Sequence, residues 1–173
     1  GRVTTLLFDK TGTLTTGHPE VAATQQFAPI AQLVGPPPSA ASNLSLINLA
    51  AALARPSNHP LSRAVAQLDP AAVQWSEWRE HPGSGVEGTI SSASNETLRL
   101  GSLRWLKENQ VDLAPADSWI QQWSNQGATV LGLARGGQLH LVLALRDALK
   151  PDAQRIVEQL TKDGLQVHLV TGD

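Results

Sequence analysis

Asp9 stands in the run Asp9-Lys10-Thr11-Gly12-Thr13-Leu14-Thr15, directly after the apolar stretch of residues 3–8. A carboxylate at the carboxyl end of a buried strand sits where open α/β sheets hold their ligands. An Asp side chain there can attack a phosphoryl group and form an aspartyl-phosphate. The Thr/Gly turn that follows offers hydroxyls and backbone N–H groups to phosphate oxygens. A second polar string lies far along the chain, Asp147-Ala148-Leu149-Lys150-Pro151, and Thr171-Gly172-Asp173 follows a second short apolar run, residues 167–170. Two parallel strands would bring Asp9 and Thr171 to one sheet edge. The Thr171 hydroxyl and Gly172 N–H can hold phosphate oxygens there, and Lys150 can neutralise charge on the transferring group.

A third set of residues falls between these. Ser57-Asn58-His59-Pro60-Leu61 puts an imidazole just before a proline suited to a first helical position. An imidazole can stack on a purine or bond to its edge. It can equally be a side chain bonded to local backbone beside a helix start. His81-Pro82-Gly83-Ser84-Gly85-Val86 has two glycines that let backbone approach a flat base or a phosphate with no Cβ in the way. A Gly-x-Gly is also an ordinary hairpin turn, and that reading stays open for Gly88. Leu100-Gly101-Ser102 lies just ahead of Trp105-Leu106.

The elements that must position these groups follow from periodicity and turn residues. Residues 3–8, 20–27, 73–80, 86–91, 96–100 and 166–170 read as strands. Residues 128–134 and 138–144 read as a hairpin across Arg135-Gly136-Gly137. Helices are expected over 43–54 with Ser42 or Asn43 as N-cap, 60–68, 102–109, 115–126 closed by Gly127, and 151–163 ending at Gly164. Gly35-Pro36-Pro37-Pro38 marks residues 28–41 as a loop. The pattern is α/β: part of a parallel sheet carrying an inserted antiparallel sheet flanked by helices. Three segments result: 1–18 and 145–173 as two parts of one domain, and 19–144 as the insertion, a size that folds alone.

Composition narrows the function classes. The 173 residues have a net charge of −2, which favours neither nucleic acid nor an anionic membrane surface. Cysteine is absent, which removes disulfides and thiolate metal sites. No apolar run is long enough to cross a bilayer. There is no Met, and the chain ends on a motif residue, as expected of a piece of a longer protein. Of five Trp, Trp119 and Trp123 are four apart and expected on one helix face. Trp75 and Trp78, three apart in a strand, are expected on opposite faces. His18, His140 and His168 lack metal-ligand spacing and read as structural or solvated.

The Asp9 string, with Asp147-x-x-Lys150-Pro151 and then Thr171-Gly172-Asp173 in that order, resembles the P-type ATPases at every motif position. The Ser57–Leu61 wording, the Gly83-x-Gly85 segment and Gly101 resemble the heavy-metal (type IB) branch, in the style of bacterial and cyanobacterial copper pumps. The resemblance covers essentially the whole chain. It implies a nucleotide-binding domain inserted into a phosphorylation domain, on the cytoplasmic side of an integral membrane protein. It implies ATP as ligand, with His59, Gly83, Gly85, Gly101 and Ser57 at the nucleotide. It assigns Asp9, Lys10, Thr11, Lys150, Thr171, Gly172 and Asp173 to catalysis. Mg²⁺ would be held by the Asp9 carboxylate and the Thr11 carbonyl. The partners implied are the pump's other domains and a metal ion, copper before zinc, cadmium or cobalt.

The sequence departs from that pattern at the base. The family's Glu five residues before the His, placed to receive the adenine amino group, is Ala54 here, and the residue before the His is Asn58. Losing one such hydrogen bond costs about 1 kcal/mol. Ser102 stands where many members have Asn. The family's later GDGxND segment is not in this sequence, so the chain is expected to bind nucleotide with little or no turnover. Two other functions compete. A haloacid dehalogenase-type phosphatase would share Asp9 but normally carries a second Asp where Thr11 stands. A nucleotide-sensing module would use the Asp9 turn only structurally.

Overall fold

The computed structural model describes residues 4–9, 13–27, 45–69, 73–90 and 97–170. Lys10, Thr11, Thr171, Gly172, Asp173 and the expected loop at 28–41 lie outside them, as do Ser42 and Asn43. The chain divides into two compact units, 1–20 with 147–173, and 21–146. It passes between them within two long strands, β2 (Thr15–Gln26) and β7 (Gln138–Leu149).

In the smaller unit, β1 (Thr5–Asp9) pairs in parallel with β8 (Gln166–Val170), with Asp9 opposite Val170. Apolar residues at 6–8 and at 167, 169 and 170 supply the short runs that form the pair. The last helix of the chain (Ala153–Lys162) precedes β8. It stops at Gly164, whose φ of +82° is the left-handed conformation that ends helices at low cost. The chain after Asp9 is anchored where it re-emerges. Thr15 is buried, and its hydroxyl donates to Asp147 Oδ2 at 2.5 Å. Thr16 donates to Asp147 Oδ1 at 3.3 Å, and the Lys150 N–H to the Leu14 carbonyl at 2.9 Å.

The larger unit is built on a six-stranded sheet in the order β2-β7-β6-β5-β4-β3. Its remaining strands are β3 (Trp75–His81), β4 (Gly85–Ile90), β5 (Thr97–Ser102) and β6 (Thr129–Arg135). The pairs from β3 through β7 are all antiparallel. This is the expected fold class, a small parallel sheet plus an antiparallel insertion with helices.

Alternation along the strands makes two cores. On one face Val86, Leu98, Leu100, Leu133, Leu141 and Leu143 pack with Leu49 and Leu53 of α1 (Leu46–Ala54) and Val65 of α2 (Pro60–Ala66). On the other, Val130, Ala134 and Val142 pack with Trp105 and Leu106 of α3 (Leu103–Glu108). Half-buried Trp119 and Trp123 of α4 (Asp117–Asn125) lie against this second core. Their rings are 5.6 Å apart, so they do share a face. The helix Ala153–Lys162 is α5.

Several expectations need correction. Helix α1 starts at Leu46, not 43. Its N-cap is Ser45, which accepts from the Asn48 N–H at 3.1 Å while Asn48 Oδ1 accepts from the Ser45 N–H at 2.6 Å. That reciprocal pair satisfies two donors and outcompetes the earlier cap candidates. Helix α4 is preceded by a 3₁₀ turn at Ala114–Ala116. Strand β7 runs to Leu149, past the expected end at 144, although it is fully buried only as far as Leu145.

Trp75 and Trp78 do not face opposite ways. A register shift between Trp75 and Glu77 adds one residue to β3, and both rings pack on the α1 side. Their indole N–H groups reach the last carbonyls of α1, Trp75 to Ala52 at 3.4 Å and Trp78 to Leu53 at 2.9 Å. Helix ends leave such carbonyls without intrahelical partners.

Candidate functional site

A cavity of about 280 Å³ opens in the larger unit where the start of α2 meets the β3–β4 hairpin, the end of β5 and the start of β6. His59, Glu80, Gly83, Gly85 and Gly101 all line it. Four of these are residues that the sequence singles out. They are far apart in the chain, and the antiparallel register brings them together.

His59 is the N-cap of α2, with Pro60 in the first turn. Its Nδ1 accepts from the Leu61 N–H at 3.3 Å. In the neutral ring that leaves the proton on Nε2, which is then a donor. The local-bond reading and the ligand reading of His59 are therefore compatible: one nitrogen is bonded to backbone, and the ring still borders the cavity.

Ser57 is not among the lining residues. It is 3% exposed, and its hydroxyl accepts from the His59 N–H at 3.1 Å and donates to Glu80 Oε1 at 2.7 Å. Its two bonds tie His59 and Glu80 together. Ala54 is fully buried in the α1 core and does not border the cavity.

The glycines have distinct reasons. Gly83 adopts φ +72° in the hairpin, and a Cβ there would meet nothing within 4 Å. Gly85 and Gly101 are register partners. A Cβ on Gly85 would lie 2.4 Å from the Leu100 carbonyl oxygen, and one on Gly101 2.4 Å from that of Ser84. Both would also strike the Trp105 ring within 3 Å. The pair makes a flat floor with an indole beneath it. Gly88 is a packing glycine, since its Cβ would meet Leu53 and Trp75 at 2.9 Å. Ser102 lines the cavity and also caps α3, accepting from the Trp105 N–H at 3.3 Å.

Among the titratable residues that line the cavity, sequence reasoning missed Glu80 and His81. Glu80 has no motif, and its tie to Ser57 spans 23 positions. His81 borders the cavity with its ring 5.0 Å from that of Trp105. Its Nε2 is 2.9 Å from Glu87 Oε1, and the second Glu87 oxygen accepts from Arg99 Nε at 3.2 Å. A buried aromatic below His81 and alternating charges beside it leave no short-range sequence signal.

Asp9 and Lys150 belong to the smaller unit. Asp9 closes β1 beside Val170, the residue before Thr171, so two of the singled-out segments leave the same end of a parallel pair. Lys150 is bonded through its N–H to Leu14, and the two residues border a hollow of about 400 Å³ with Phe8 and Pro151.

A family model for haloacid dehalogenase-like hydrolases matches residues 3–173. The chain belongs to that family. Within the haloacid dehalogenase-like hydrolases, its relatives are heavy-metal P-type ATPases. It is 33% identical to a probable copper-transporting ATPase, PacS, of Synechococcus elongatus over 99% of this chain and 22% of the relative. It is 32% identical to a copper-exporting P-type ATPase of Vibrio cholerae over 99% and 18%. A zinc/cadmium/lead-transporting P-type ATPase of Escherichia coli is 32% identical over 100% and 22%. The chain thus spans about a fifth of the length of these curated relatives. Among solved structures, a zinc-transporting PIB-type ATPase in the E2·Pi state superposes with a TM-score of 0.72 at 28% identity, over 100% of this chain and 26% of that one.

Proposed function

We infer that this haloacid dehalogenase-like chain is the ATP-binding and phosphoryl-accepting part of a heavy-metal-transporting P-type ATPase, and that copper is the cargo. The observation that carries the nucleotide reading is the convergence of His59, Gly83, Gly85 and Gly101 on one cavity. A purine fits its chemistry. The glycine floor admits a flat ring, and the His59 Nε2 donor can address an acceptor on the ring edge.

In the smaller unit Asp9 is the nucleophile. A bond forms between its carboxylate oxygen and the γ-phosphorus, the bond from that phosphorus to the bridging oxygen breaks, and ADP leaves with the electron pair. Lys10, Thr11, Lys150, Thr171, Gly172 and Asp173 are the groups that hold and neutralise the transferring phosphoryl. Asp9 and Thr11 would supply oxygen ligands to Mg²⁺, the donor type that this hard cation prefers. Thr11 in place of a second Asp argues against rapid hydrolysis of the phosphoenzyme, and so against a simple phosphatase.

Among the described residues no helix is long and apolar enough to cross a membrane. In this reading the ion path and the remaining domains belong to other segments of the pump, with this part on the cytoplasmic side, which fits a chain that matches about a fifth of its relatives' length. Copper is favoured by the names of the cyanobacterial and Vibrio relatives. The zinc-transporting structural neighbour supports zinc as the second reading.

Titration with ATP, with and without Mg²⁺, followed by two-dimensional amide NMR, tests the site. Shifts should cluster at His59, Gly83, Gly85 and Gly101 and weaken in His59→Ala. Shifts confined to the surroundings of Asp9 would remove the nucleotide reading of the cavity and favour the phosphatase.

A further inference from the structure

Glu80 is the one carboxylate among the described residues that line the cavity. It is exposed, next to last in β3, and held by the Ser57 hydroxyl at 2.7 Å. That hydroxyl also accepts from the His59 N–H, so its single proton must go to Glu80. The directions of both bonds are thereby fixed. The bond to Ser57 engages one carboxylate oxygen, and a carboxylate offers about four acceptor positions in all. The cavity therefore presents a donor, His59 Nε2, and an acceptor, Glu80, joined through one serine.

We propose that Glu80 selects the base in this cavity by accepting a hydrogen bond from the exocyclic amino group of adenine. The proposal rests on the nucleotide reading above and deepens it. Ala54 cannot take this part, since its side chain has no polar atom and is buried in the α1 core. On its N7 edge adenine carries an amino donor at C6 beside the N7 acceptor, which complements the acceptor and donor of Glu80 and His59, and hypoxanthine keeps the same N7 acceptor. Hypoxanthine carries an oxygen at C6. That oxygen would face a carboxylate oxygen and gain no bond. The chemistry thus distinguishes ATP from ITP at one atom.

The test compares dissociation constants for ATP and ITP in the unaltered chain, Glu80→Ala, Glu80→Gln and His59→Ala. Glu80 is exposed, so neither substitution removes core packing. The unaltered chain should prefer ATP by roughly 3- to 10-fold, the range for one modest hydrogen bond. Glu80→Ala should bring the ratio to about 1. In Glu80→Gln the amide oxygen must still accept the Ser57 proton, which turns the amide N–H₂ toward the base, and the preference should invert to ITP. An unchanged ATP/ITP ratio in both Glu80 variants, with binding still weakened by His59→Ala, would overturn the role of Glu80 and leave the nucleotide site standing. Binding that is absent, or indifferent to His59→Ala, would overturn both.

Discussion

Gly85 and Gly101 show how little a motif glycine says until its neighbours are known. Both are flanked by main-chain atoms and the Trp105 ring, so a methyl group at either has nowhere to go. Gly83 is constrained only by its positive φ, with open space around it. Gly101→Ala should therefore cost about 3 kcal/mol of stability, the upper end of overpacking. Gly83→Ala should cost only about 1 kcal/mol of backbone strain. Urea midpoints of the two variants decide this, and equal midpoints would contradict it. His59, Gly83, Gly85 and Gly101 were legible because their strings are short and local. Glu80 was not, because its link to Ser57 depends on which residue of β3 the hairpin register places there. Ser57 was legible as part of the motif, but its burial and its two bonds were not.

Single elements were easiest to read where punctuation was strong. Gly127, Gly136, Gly137 and Gly164 all adopt positive φ and close a helix or a hairpin. The sequence pointed to each of them as a terminator or turn. The three-residue Trp spacing in β3 misled because strict alternation has no means of announcing a bulge. That bulge has an energetic reason: two indoles complete the C-terminal end of α1. Trp78→Phe would keep most of the ring but leave the Leu53 carbonyl without its 2.9 Å donor. It should cost about 1–2 kcal/mol. Trp75→Phe should cost less, since its bond at 3.4 Å is long. Thermal unfolding of the two single variants gives the ranking, and a smaller loss for Trp78→Phe would refute the capping role.

At the scale of the whole molecule, pH acts through His140. It is 2% exposed in β7, and among the described residues its Nδ1 finds no hydrogen-bond partner. Burial, and next the nearby Arg135 charge, hold its pKa below the ordinary imidazole value. Below about pH 6.5 the unfolded chain takes up a proton there that the folded chain refuses. Stability should therefore fall as the solution is acidified from pH 7 to 5, by at most about 1.4 kcal/mol per pH unit from this group. His140→Leu should flatten that slope, and an identical pH dependence in both proteins would exclude His140 as its source. The sequence showed His140 only as a histidine without ligand spacing. Its burial comes from a strand covered on both faces, which no window of residues reveals.

The bond from Lys150 to Leu14, with Asp147 held by Thr15 and Thr16, has a consequence for protein engineering. The chain leaves the smaller unit and returns to it at two points that are already stitched together. Residues 21–146 are thus a cassette: a short turn could replace them without stretching the scaffold they interrupt, and the cassette could be grafted into another host wherever two neighbouring strand ends are offered.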